Sequence, residues 1–256
     1  MKKRKLRISV VSYLNSLPFV EGLEQEEIKQ QYNISKDIPS ICAEKVINGS
    51  ADIGLMPIAM LPKVEGGYVI TDYCISANGA VGSVLLVSND PIEEIKIISK
   101  DNESRSSVIL ARILIENYWK KEVTWKEECD QFLNLQKHEG IVIIGDRALK
   151  NSWKFKYVYD LAEEWKKFTG LPFVFACWIA NKTIDSKDIR ILNESFKKGL
   201  MNRPEIAKQT ETGHPSISTL SYLSDYIKYE LNDEAKKGMA LFLEMMNQIE
   251  SSFISR

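Results

Sequence analysis

The sequence predicts an α/β fold of two lobes with a cleft between them, the second lobe inserted into the first, and C-terminal helices returning to the first lobe. Three observations predict it. Short β-branched runs alternate with helix-like segments in two separate blocks, one from Leu6 to Pro57 and one beginning at Ile95. Two strand-like apolar stretches, Val84 to Asn89 and Phe173 to Ala180, stand where the chain would cross between the blocks. After Asn181 the apolar spacing becomes almost wholly helical. Alternation of strand and helix implies mostly parallel pairing, because parallel neighbours need a crossover segment. The expected division is lobe 1 over residues 1–88 plus 177–256 and lobe 2 over 89–176.

Each element follows from local chemistry. Leu6 to Val11 is β-branched and reads as a strand, and Ser12 to Pro18 carries turn and cap residues ahead of the apolar Phe19, Val20 and Leu23. Tyr32 to Ile38 reads as a second strand. Pro39-Ser40 opens a helix in which Ser40 can cap free N–H groups and Gly49 ends the turn. Ala51 to Met56 is a third strand. Val69 to Ser76 and Ala80 to Ser88 are apolar runs around Asn78-Gly79, a dipeptide suited to a tight turn. In the second block, strands are expected near Lys96 to Ser99, Val123 to Trp125 and Gly140 to Ile144, with a helix from Ser106 to Lys120. Glu194 to Met201, Ser218 to Leu231 and Asp233 to Phe253 show helical spacing. In the last of these, Ala235, Met239, Phe242, Met246, Ile249 and Phe253 form an apolar stripe that suits either the core or a homodimer contact.

Composition narrows the function classes. A chain of 256 residues with 44% hydrophobic and 27% charged residues can build a full core. Its net charge of -1 gives no general attraction to nucleic acid or to an anionic membrane surface, so the expected partner is a small molecule held by local groups. No apolar stretch approaches the roughly 20 residues of a membrane span. The basic Lys2 to Arg7 segment is followed by Ser9, Ser12, Asn15, Ser16 and Pro18, which interrupt the apolar run. It therefore reads as strand and loop rather than as a secretory leader, and a cytoplasmic location is expected. Cys42, Cys74, Cys129 and Cys177 form no C-x-x-C pair, and the two histidines, His138 and His214, lack ligand companions at metal spacing. No metal and no cofactor is expected, since nucleotide-binding glycine motifs and a nucleophile elbow are also missing.

The remaining candidates are small polar groups at strand ends and helix starts. Ser12 to Pro18 is one such junction, where Asn15 suits either a cap or a ligand contact. Asp101 to Ser107 is another, with Ser104, Ser106, Ser107 and the fork-shaped guanidinium of Arg105 matched to a carboxylate. Ser83 and the pair Gly145-Asp146 lie near strand ends, and Asp146 suits a helix cap as well as a substrate contact. Tyr222, Tyr226 and Tyr229 read as a packed helix face rather than a ligand cage.

The ordered strings Val11-Ser12-Tyr13-Leu14-Asn15-Ser16-Leu17-Pro18, Gly49 to Pro57, Ser83-Val84-Leu85-Leu86, Ser104-Arg105-Ser106-Ser107, Ile144-Gly145-Asp146 and Asp160 to Ala176 together resemble the chorismate dehydratases of the futalosine route to menaquinone. That resemblance covers nearly the whole chain. It implies a fold like the type 2 periplasmic binding proteins and chorismate as the small-molecule substrate. It also implies catalytic roles for Asn15 and Ser83. Substrate contacts would come from Ser12, Ser40, Met56, Ser104, Arg105, Ser106, Ser107, Gly145 and Asp146. Two positions depart from the family pattern: Gly82 stands where arginine is usual, and Ser106 where threonine is common. A dihydroxynaphthoate synthase of the same pathway and a non-catalytic carboxylate-binding module are the alternatives.

Overall fold

The structure, a computed structural model, describes residues 4–100, 105–127 and 133–254, with side chains as far as residue 249. Two mixed sheets organise the chain. Strands β1 (Arg7–Val11), β2 (Asn33–Asp37), β3 (Ile53–Pro57) and β4 (Tyr68–Ala77) come first, with helices α1 (Leu17–Leu23), α2 (Glu26–Gln31) and α3 (Pro39–Ile47) between them. The second block holds β5 (Val84–Ser88), β6 (Ile97–Ser99), α4 (Arg105–Ile113), β7 (Thr124–Lys126), β8 (Glu139–Ile144), α5 (Gly145–Asn151), β9 (Tyr157–Asp160) and α6 (Leu161–Thr169). The chain closes with β10 (Phe173–Ala180), α7 (Ser186–Met201), α8 (Arg203–Gln209), α9 (Thr219–Ser221), β11 (Lys228–Glu230) and α10 (Asp233–Ile254).

The first sheet has the order β11-β4-β10-β3-β1-β2 and the second β7-β6-β8-β5-β9. Pairing is less parallel than expected. The β1–β2, β1–β3, β6–β7 and β6–β8 pairs are parallel, but every pair made by β5 and β10 is antiparallel. The reason is topological: each of these strands follows a crossing between sheets and enters its new sheet reversed. Sheet membership does not follow the expected boundaries. β5 belongs to the second sheet, not to lobe 1, while all of β10, including Phe173 to Ala176, belongs to the first. Asn78-Gly79 consequently lies on a crossing and not in a hairpin, since β4 pairs with β10 and β11.

The helix expected over Ser218 to Leu231 is also interrupted. After α9 comes a π-helical turn, Tyr222–Tyr226, and then β11. Lys228 and Glu230 pair with β4 at its edge, which extends the backbone there. The stripe on α10 packs inward within the chain, with Ala235, Phe242, Met246 and Ile249 buried. One continuous core spans both sheets, and a smaller cluster of Leu85, Val87, Ile141 and Ile143 covers the other face of β5 and β8. That separation reflects the two-residue alternation of strand side chains.

Candidate active site

A pocket opens where the two sheets meet, lined from the first sheet by Val11, Tyr13, Asn15, Leu55 and Pro57 and from the second by Ser83, Ser106, Ser107 and Gly145, among others. Its walls are mostly apolar, so the few polar atoms facing it determine what it can hold. Asn15 is placed by the turn after β1. Ser16 Oγ accepts from the Tyr13 N–H at 3.1 Å and donates to the Val11 carbonyl at 2.6 Å, closing a single 3-10 turn over Leu14–Ser16. The Tyr229 hydroxyl donates to the Asn15 carbonyl at 2.9 Å. Asn15 Oδ1 is buried and, among the described residues, has no hydrogen-bond partner. Asn15 is thus inside the turn and its side chain is not used as a cap.

Ser83 is fully buried at the start of β5. Its oxygen accepts a hydrogen bond from the Tyr222 hydroxyl at 2.7 Å, and its carbonyl accepts from the Gly145 N–H at 2.8 Å. The approach to Ser83 is held by Asp160, whose Oδ2 accepts from Val81 N–H at 2.8 Å and Gly82 N–H at 2.7 Å. Its Oδ1 caps α6 through Ala162 and Glu163. Burial pushes the Asp160 carboxyl up to about 6, against the pull of those backbone donors. Gly82 has φ +72, and a Cβ there would lie 3.1 Å from Ile217 Cδ1. This left-handed turn is one that glycine adopts without strain.

Two further contacts cross the cleft. The Leu14 N–H donates to Asp146 Oδ1 at 3.3 Å, and the Ala59 N–H donates to Ser106 Oγ at 3.2 Å. Gly145, at φ +57, takes a left-handed conformation that glycine favours and starts α5 beside the Tyr13 ring. Asn15, Ser83, Ser106, Ser107 and Gly145 are therefore brought together, with Asp146 at their edge.

Other predicted contacts do not converge on the pocket. Ser12, Ser40 and Arg105 are exposed. Ser40 sits second in α3 and caps nothing, since the residue before that helix is Ile38. Met56 is fully buried but alternates away from the pocket, which its neighbours Leu55 and Pro57 line. Ser104 lies outside the described residues, as does Cys129. Cys42 and Cys74 are buried, and burial pushes both thiols up to about 12, which suits packing rather than nucleophilic chemistry.

Spacing along the chain also hides one cluster. Folding brings Asp90 and Glu94 to His138, with ligand atoms within 4.8 Å of one another. The group lies at the end of β5 and β8 remote from the pocket, where His138 Nδ1 stands 4.0 Å from Glu94 Oε2.

Comparison with known proteins places this geometry. The sequence profile of a family described as menaquinone biosynthesis matches residues 6–248. The chain belongs to this family. A chorismate dehydratase of Thermus thermophilus is 22% identical over 91% of this chain and 92% of its own length. A chorismate dehydratase of Campylobacter jejuni is 30% identical over 65% of this chain and 63% of its own. Among solved structures, protein AF1704 of Archaeoglobus fulgidus superposes with a TM-score of 0.77 at 11% identity, covering 98% of this chain and 99% of that one. The periplasmic aliphatic sulphonate binding protein SsuA of Escherichia coli gives 0.64 at 14% identity, over 99% and 94%. These likenesses establish a periplasmic-binding-protein-like fold for this menaquinone-biosynthesis family member, as its sequence leads one to expect. Among the described residues no helix is long and apolar enough to cross a membrane.

Reading the sequence of this family member as a packed tyrosine face overlooks what two of those tyrosines do. Tyr222 and Tyr229 are buried, as a packed face requires, yet their hydroxyls end on Ser83 and Asn15. Asp160 likewise carries no signal beyond a helix cap.

Proposed function

We propose that this chain is a chorismate dehydratase, a carbon–oxygen lyase that converts chorismate to 3-[(1-carboxyvinyl)oxy]benzoate and water in futalosine-dependent menaquinone biosynthesis. One observation carries the reading. A largely apolar pocket between two lobes gathers Asn15 and Ser83 in a chain whose menaquinone-biosynthesis relatives bear that name.

The reaction removes a proton from the ring carbon bearing the enolpyruvyl ether and expels the neighbouring hydroxyl, and aromatisation drives it. Among the described residues no lining side chain is a carboxylate or an imidazole, and the Asp146 carboxylate accepts from the Leu14 N–H at the pocket's edge. In this reading the base is the substrate's own enolpyruvyl carboxylate, with Asp146 as the alternative. The protein's task is to hold that carboxylate beside the proton, a proximity effect worth roughly 7–11 kcal/mol in ideal cases. The first turn of α4 brings Ser106 and Ser107 to the pocket wall where a substrate carboxylate would lie, while Asn15 and Ser83 address the ring.

Incubation of purified protein with chorismate as sole substrate, followed by mass spectrometry, tests the reading. The expected product is chorismate less one water. Ser83→Ala is expected to lower turnover by about 100-fold, the scale for losing one preorganised donor, a larger loss than the stability cost of about 1–3 kcal/mol for leaving the buried Tyr222 hydroxyl without its acceptor. Unchanged chorismate after long incubation would reduce the protein to a binding module.

A further inference from the structure

We infer that Tyr222 is a positioning residue that orients the Ser83 hydroxyl, so that Ser83 and Asn15 together grip the hydroxyl group that leaves. The inference rests on the dehydratase reading above and adds a residue to it. Its basis is donor and acceptor accounting. A phenol has one hydrogen to give, and Tyr222 gives it to Ser83 Oγ at 2.7 Å. Ser83 is fully buried, and among the described residues its own hydroxyl hydrogen has no protein acceptor. Because Ser83 lines the pocket, that hydrogen is available to a group bound there.

Asn15 presents the converse. Its Oδ1 is a buried acceptor without a donor and lines the same pocket. A site offering one free donor and one free acceptor fits a group that is both, and a ring hydroxyl is such a group. Its oxygen accepts from Ser83 while its hydrogen is given to Asn15. When the carbon–oxygen bond breaks, the bonding pair leaves with that oxygen, and the Ser83 hydrogen bond stabilises the charge gathering there. The oxygen takes the proton that the substrate carboxylate removed from the neighbouring carbon and departs as water.

Without Tyr222 the accounting fails, because Ser83 Oγ would lose its donor and its hydrogen would be free to turn elsewhere. The framework holds Tyr222 in place. It is 1% exposed, begins the π-helical turn Tyr222–Tyr226 and is flanked by Tyr229, which fixes the Asn15 backbone. π-turns of this kind recur at functional sites because they shift one side chain out of helical register.

The test is a double-mutant cycle with chorismate, using Tyr222→Phe, Ser83→Ala and the pair. Tyr222→Phe keeps the ring and removes only the donor, so each variant is assayed at about 10 °C below the lowest melting midpoint of the set, where all are folded. The expected result for Tyr222→Phe is a fall in kcat of about 10-fold or more with KM changed less than about threefold, the signature of an interaction used in the transition state. In the Ser83→Ala background the same change is expected to cost much less, leaving only what the contact of Tyr222 with the Asn15 side chain contributes. Full kcat in Tyr222→Phe, or losses that multiply in the double variant, overturns the assignment while leaving the dehydratase reading intact. Wild-type protein that leaves chorismate unchanged overturns both.

Discussion

At the scale of single residues, the site is built from neutral groups whose effect depends on neighbours that are not neutral. Asp160 is the clearest of these, because both of its oxygens are occupied by backbone N–H groups and one of them holds the segment leading into Ser83. Its carboxyl is raised to about 6 by burial, so mild acidification protonates it. A protonated acid cannot serve all four donors, and the Val81–Gly82 turn is expected to loosen. Turnover should therefore decline as pH drops through about 6. Stability should move the other way. A carboxyl raised on folding contributes stability that is fully present below its unfolded value near 4 and is lost as pH rises through the folded value. A pH profile of kcat set beside thermal melts over the same range checks this, and parallel loss of both would refute it. Asn15, Ser83 and Gly145 are legible in the sequence because strand ends beside helix starts are where exposed N–H groups and small polar side chains gather. Ser12, Ser40 and Met56 show the limit: one step along a strand or helix turns a side chain to another face, and spacing alone does not say which face looks into a cleft. The tyrosine hydroxyls were invisible for a related reason, since burial of the ring satisfies the pattern whatever the oxygen touches.

At the scale of elements, alternation of strand and helix correctly announces two α/β blocks, while strand direction escapes it. β5 and β10 read as the crossings between blocks, but each pairs in the sheet it enters rather than the one it leaves. Only contacts far apart in sequence decide that. Helix packing depends on equally distant partners. A Cβ on Gly199 of α7 would lie 1.9 Å from the Pro18 carbonyl oxygen of α1, and one on Gly22 would lie 2.4 Å from the Ser195 carbonyl oxygen. The two helices thus meet backbone to backbone, and α1 is the element that follows directly from the Asn15 turn. Gly199→Ala raises helix propensity yet should destabilise, because relieving a clash against backbone costs about 1–3 kcal/mol, more than the roughly 1 kcal/mol that alanine gains over glycine. A drop in the chemical-denaturation midpoint is expected. An unchanged or raised midpoint would mean that α1 and α7 can separate freely.

At the scale of the whole molecule, the pocket lies where the two sheets meet, and two of the hydrogen bonds between them flank it. Leu14 N–H to Asp146 and Ala59 N–H to Ser106 each join a first-lobe backbone donor to a second-lobe side chain. Two roles for Asp146 follow from its position, a base or a latch, and they predict opposite behaviour for one conservative change. Asn at 146 retains an oxygen able to accept from Leu14 but cannot take a proton. If Asp146 is a latch, Asp146→Asn keeps kcat within about threefold, whereas Asp146→Ala raises KM by about 10-fold, since a hydrogen bond to a charged group is worth about 1.5–3 kcal/mol and closure must then be driven by substrate alone. If it is the base, Asp146→Asn loses turnover at unchanged KM. Its carboxylate is committed to a backbone N–H at the edge of the pocket rather than aimed into it, so the latch outcome is the one expected. Steady-state kinetics of the two variants with chorismate distinguishes them, and a collapse of kcat in Asp146→Asn would move the proton-accepting step from the substrate to the protein.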